Sequence, residues 1–115
     1  MEVSFVPAGE ALVVAPVGRV DEASWEEFGS HVARGIEIAS NEGRDTVVID
    51  LSHIDYMSSR GLRALTMAKQ EGMGAGVSVR LASPTDVLRE ILAISRYDRL
   101  FTVDDRLPPS DRIDV

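Results

Sequence analysis

The sequence has 115 residues, 44% of them hydrophobic, a formal net charge of −7 and no cysteine. That length suits one domain, with enough apolar material to bury about two-thirds of its unfolded surface without metals or crosslinks. The composition excludes disulfides, thiol nucleophiles and Cys-ligated zinc, and the negative charge disfavours nucleic acid and anionic lipid as direct partners.

In chain order, Val3 to Val6 and Ala11 to Val17 are β-prone runs separated by the turn residues Pro7, Ala8, Gly9 and Glu10, which predicts a β-hairpin. Pro16 cannot donate to a ladder and places the second strand near a sheet edge or at its own end. Trp25, Phe28, Val32, Ile36 and Ala39 then recur at helical spacing, with Ser24 and Glu27 at capping-box separation and Asn41, Glu42 and Gly43 as the stop. Thr46 to Leu51 is a short β-branched run suited to a central strand buried on both faces. A second helix is expected from about Ser59 to Gly72, with Leu62, Leu65 and Ala68 inward and Gly72, Gly74 and Gly76 breaking it.

Val77 to Ala82 forms another strand, followed by Ser83 as N-cap, Pro84 as first helical residue and Asp86 in the first turn of a helix burying Val87, Leu88, Ile91 and Leu92. Leu100 to Val103 supplies a last strand. The order ββαβαβαβ predicts right-handed crossovers and a mainly parallel sheet opened by the hairpin. Periodicity leaves open whether the helices share one face. One domain is expected over residues 1–104, followed by a polar C-terminal tail over 105–115. The stretch MEVSFVPAGE carries no basic segment followed by an apolar run, and no run approaches the roughly 20 residues that span a bilayer. A cytoplasmic protein without membrane insertion is therefore expected.

The segment from Val47 to Leu65 carries the functional signal. A buried strand ends near Leu51, a loop follows and a helix starts near Ser59, at the carboxyl end of the sheet where functional groups gather. Ser58 and Ser59 would sit at a helix N-terminus, which favours negative charge. A phosphate there adds about −1.5 to −2 charge and three acceptor oxygens. Either serine could instead be an N-cap alone. Gly61 is unusual in a first turn, costing about 1 kcal/mol against alanine. Arg60 and Arg63 lie one turn apart and could meet an acidic partner surface. Asp50 ends a central strand but lacks the acidic pair and late lysine of a receiver domain, and reads as a loop-satisfying carboxylate. His31 and His53 show no metal-ligand spacing, and no nucleophile–base pair or phosphate loop supports an enzyme.

The segment Tyr56-Met57-Ser58-Ser59-Arg60-Gly61-Leu62-Arg63 resembles the signature of STAS domains, named for sulphate transporters and anti-sigma factor antagonists. In the bacterial antagonists a strand leads through an apolar-Met or apolar-Ile pair into D-S-S/T-G-L or S-S-x-G-L-R. The serine after the first Asp or Ser is the one phosphorylated. Ser59 falls on that position and Ser58 on the one before it. Gly18-Arg19-Val20-Asp21 matches a second family motif, G-x-[LIV]-D, whose Asp the family brings near the serine loop. The resemblance covers about Val3 to Asp104. It departs in having Ser58 where the best-known antagonists have Asp, and in a Pro108-Pro109 tail where many members add a helix.

The resemblance implies an α/β, STAS-like single domain with a mixed, mostly parallel sheet and crossover helices. It also implies an anti-sigma factor antagonist that binds an anti-sigma factor/serine kinase, is released by phosphorylation at Ser59 and is reset by a serine phosphatase. Asp21, Met57, Ser58, Ser59, Arg60, Gly61 and Arg63 become the expected partner-binding residues. Catalysis would belong to the partner, so neither catalytic residue, metal nor cofactor is expected here. An alternative within the same fold is a non-phosphorylated structural subunit of a transporter or scaffold complex.

Overall fold

The computed structural model describes residues 1–111. The hairpin forms from β1 (Glu2–Ala8) and β2 (Ala11–Val20), paired antiparallel, with Gly9 at φ +62° in the turn where a side chain would be strained. Helix α1 (Trp25–Asn41) leads to β3 (Thr46–Asp50), a short strand β4 (Ile54–Met57) and helix α2 (Ser59–Ala75). Strand β5 (Ser78–Ala82), helix α3 (Asp86–Ile94), the single turn α4 (Tyr97–Leu100) and β6 (Val103–Asp104) complete the order. The sheet runs β1-β2-β3-β5-β6 with every pairing after the hairpin parallel, and β4 joins the free end of β2.

The helices share one face. Leu12 and Val14 of β2, Val47 and Ile49 of β3, and Val79 and Leu81 of β5 pack with Phe28, Val32 and Ile36 of α1, Leu62, Leu65 and Ala68 of α2, and Leu88 and Leu92 of α3 in one core. Strand alternation sends Ala8, Ala11, Val13, Val48 and Ala82 to the second face, whose cluster contains no helical residue. Residues 105–111 return across that face. Leu107 and Pro108 share clefts with Val13 and Val48, and the Asp111 carboxylate accepts from the Gly9 N–H (2.5 Å) and pairs with Arg44 (3.4 Å). The segment expected as a polar tail is thus tied to the hairpin as far as Asp111, and its remainder, 112–115, lies outside the described residues.

Several sequence expectations change. Strand β2 is internal and runs to Val20. Pro16 is tolerated because it falls between two pairings, after Val14↔Ile49 and before Gly18↔Ile54, where no parallel partner demands an N–H. Helix α2 continues past Gly72 and Gly74 and is closed by Gly76 in the left-handed region (φ +72°). Gly72 lies inside because a Cβ there would stand 2.4 Å from the Val77 carbonyl oxygen. Thr85, not Ser83, caps α3 by accepting from the Leu88 N–H (3.2 Å). Ser83, at φ +53°, is bonded to β6 instead, its N–H donating to the Asp104 carbonyl. Val87 is 51% exposed, so α3 packs chiefly through Leu88 and Leu92. The last strand is shorter and later than expected because residues 97–100 coil into α4.

Candidate partner-binding site

Strand β4 makes the site. Its residues Ile54, Tyr56 and Met57 lie beside Gly18, Arg19 and Val20 at the end of β2, with a bulge between Gly18 and Arg19 that Gly18 accommodates at φ +130°. The Ser58 N–H then donates to the Val20 carbonyl (2.8 Å), continuing the ladder by one residue. This zipper carries two chain segments, Asp21-Glu22 and Ser58-Ser59, off the same end of the sheet side by side.

Helix α2 begins at that point. Ser58 is extended (φ −77°, ψ 173°), and its Oγ accepts from the Gly61 N–H at 3.3 Å, satisfying one of the donors a helix start leaves open. Ser59 is the first helical residue and is exposed. Its hydroxyl is engaged in no hydrogen bond among the described residues. Gly61 is forced by packing. A Cβ would stand 2.6 Å from Met57 Cγ and 2.7 Å from Val20 Cγ1, so only glycine lets the first turn of α2 rest on the β2–β4 ladder.

The opposite wall is the β2–α1 loop. The Asp21 carboxylate accepts from the Ala23 N–H (3.0 Å) and pairs with Arg19 Nε (3.2 Å). The Ala23 N–H first, then the Ser24 hydroxyl and the Arg19 guanidinium, hold the Asp21 carboxyl below the ordinary aspartate range despite some desolvation. It is therefore an anion at neutral pH. Ser24 accepts from the Asp21 N–H (3.0 Å) and donates to the Arg19 carbonyl (2.5 Å), so it braces this loop in place of the expected capping box. Arg19 also lies over the Tyr56 ring (4.1 Å), and Arg60 bridges to Glu22 (2.8 Å) with its guanidinium 5.6 Å from the Trp25 ring centre. Exposed pairs of this kind add about 0–1 kcal/mol, so their effect is to orient side chains more than to stabilise.

Of the expected partner-binding residues, Asp21, Ser58, Ser59, Arg60 and Arg63 share this surface. Met57, 2% exposed, and Gly61, also buried, lie beneath it and are out of a partner's reach while the fold is intact. Their position makes them supports of the loop, a correction that follows from the register shift in β4, which leaves Asp55 unpaired and returns Met57 to the core with Ile54, and from helix-to-ladder contact at Gly61. Glu22, Trp25 and Tyr56 belong to the surface and were not expected. The Arg19–Tyr56 pair would have been legible only with β4 and its register in hand. Asp50, buried at the end of β3, accepts from the Ser52 N–H (2.9 Å), the loop-satisfying role expected of it.

The two adjacent serines have separable roles, and thermal or denaturant unfolding checks this. Ser58→Ala should cost about 1 kcal/mol by removing the cap, whereas Ser59→Ala should change stability by no more than about 0.5 kcal/mol. Equal losses would mean that the cap is shared.

The family model of the STAS domain matches residues 3–108. The chain belongs to the STAS domain family. A STAS-domain containing protein of Pseudomonas aeruginosa is 28% identical over 105 residues, covering 90% of this chain and 99% of that one. BtrV of Bordetella bronchiseptica, provisionally named an anti-sigma factor antagonist, is 33% identical over 93 residues, covering 80% and 76%. The solved structure of the anti-sigma factor antagonist SpoIIAA, unphosphorylated, matches with a TM-score of 0.67 at 15% identity over 91% of this chain and 89% of that one. The phosphorylated form of the same Bacillus protein matches at 0.61 and 16% identity over 91% and 90%. These structures share the fold of this STAS domain, a mixed six-stranded sheet with its helices.

Proposed function

We propose that this STAS domain is a cytoplasmic anti-sigma factor antagonist that binds an anti-sigma factor with serine-kinase activity through the surface around Ser59. The kinase transfers the γ-phosphoryl group of ATP to Ser59 Oγ, whose proton leaves to a base of the kinase, with ADP as the other product. The new dianion sits in the interface, where like-charge repulsion and lost desolvation release the partner without refolding the domain. A serine phosphatase hydrolyses the ester and restores binding.

One observation carries this reading. Ser58 performs the capping, so the Ser59 hydroxyl is exposed and unspent at the first position of α2. The name of BtrV and the existence of SpoIIAA in both unphosphorylated and phosphorylated forms support it. Incubation with the cognate kinase and ATP, followed by intact-mass measurement, tests it. An increment of one phosphate is expected for the wild type and for Ser58→Ala, and none for Ser59→Ala. An increment that persists in Ser59→Ala, or its absence when the kinase is demonstrably active, overturns the assignment.

A further inference from the structure

The surface around Ser59 is electrostatically lopsided. On the β2–α1 side stand the carboxylates of Asp21 and Glu22. On the α2 side stand Arg60 and Arg63, and β4 contributes Asp55 and Tyr56. Strands β2 and β4 and helix α2 carry three arginines, Arg19, Arg60 and Arg63, and two are committed. Arg19 is held by Asp21 and the Tyr56 ring, and Arg60 by Glu22 against Trp25. Arg63 is exposed and has no ion pair or hydrogen bond among the described residues.

Helix geometry supplies the rest. Residues four apart on an α-helix stand one above the other on the same face, so Ser59 and Arg63 are neighbours, whereas Arg60 projects about 100° around the axis toward Glu22. An unmodified serine hydroxyl is too short and too weak an acceptor to use that neighbour. A phosphate extends it by one tetrahedral group and adds charge, and the fixed carboxylates of Asp21 and Glu22 disfavour its turning toward the β2–α1 loop.

We infer that Arg63 is the intramolecular acceptor of a phosphate on Ser59, forming a phosphoserine–arginine bridge along the first turns of α2 that draws the dianion away from Asp21 and Glu22. The inference rests on the reading that Ser59 carries phosphate, and it concerns the form of the modified state. In that state the phosphate is held in one place by a charge-assisted contact, and the first turns of α2 are tied together. Arg63 is a positioning residue for the phosphate, and its replacement leaves the stability of the unmodified domain unchanged.

The test needs no kinase. Phosphoserine is incorporated at position 59 during synthesis by genetic encoding, and the second pKa of the phosphate is followed by 31P NMR. An ordinary phosphoserine titrates near about 6. The wild-type value is expected to lie below that of Arg63→Gln by about 0.1–0.4 unit, the size of an exposed i,i+4 charge pair. Arg63→Lys should retain part of the difference. The unphosphorylated proteins should melt together, and the phosphorylated wild type above phosphorylated Arg63→Gln.

Coincident 31P titrations for wild type and Arg63→Gln would overturn the bridge. So would a shift that disappears only in Arg60→Gln, which would make Arg60 the partner. If kinase incubation gives no mass increment while the 31P difference is present, the switching function fails and the bridge stands. The converse pair of results leaves the function and removes the bridge.

Discussion

Ser59→Asp should weaken binding to the proposed anti-sigma partner by about 30-fold or more, while Ser59→Ala stays within about threefold of wild type. The physical basis is asymmetric. On the free domain an Asp at the first position of α2 faces the positive end of the helix dipole and costs nothing. Within an interface it must shed water beside Asp21 and Glu22, and desolvated like-charge contacts cost about 2 kcal/mol or more, with about 1.4 kcal/mol per factor of ten. Titration calorimetry with the partner reads the affinities, and circular dichroism with thermal melting shows whether both variants are folded. Equal affinities for Ser59→Asp and wild type would remove the charge-repulsion mechanism even if Ser59 proved to be phosphorylated.

Gly61→Val should be the most damaging single change at the site, and it acts from underneath. A Cβ at residue 61 already stands 2.6 Å from Met57 and 2.7 Å from Val20, both buried in the core. Two further methyl groups must displace α2 from the β2–β4 ladder. Overpacking of a tight core costs about 1–3 kcal/mol, and a gain in helix propensity of a few tenths offsets little of it. For a domain of this size the melting temperature should fall by about 10 °C. The Ser58 cap should loosen with it, because its partner is the Gly61 N–H. Gly61→Ala should lie between the two, with loss from the clash partly offset by about 1 kcal/mol of propensity. An undisturbed melting temperature for Gly61→Val would show that the helix can move off the ladder freely. Partner binding would then be the quantity to follow.

The elements that announce themselves through periodicity were legible from the residues alone. The stripe Trp25, Phe28, Val32, Ile36 and Ala39 became α1, and the β-branched run from Thr46 became the central strand β3. The serine pair and Gly61 were legible as chemistry, since each is a residue type out of place unless something specific needs it, whereas the Gly18–Asp21 motif was legible only through the family resemblance. Strand β4 was not legible. Ile54-Asp55-Tyr56-Met57 is too short to show an alternation, and it is a strand because β2 offers it a free edge. The same dependence on a partner hides the route of residues 105–111, which read as polar chain and lie across the second sheet face because Gly9 and Arg44 wait there for Asp111.

Local sequence was thus enough to specify a βα-alternating domain and to single out a pair of adjacent serines, because hydrophobic period, helix capping and turn chemistry act between residues a few positions apart. Which serine is consumed by the helix and which remains available, and that Met57 and Gly61 lie beneath the surface that Asp21, Arg60 and Arg63 share, are outcomes of the β2–β4 ladder. Contacts between residues about 40 positions apart are set by strand register and packing, and no local pattern encodes them.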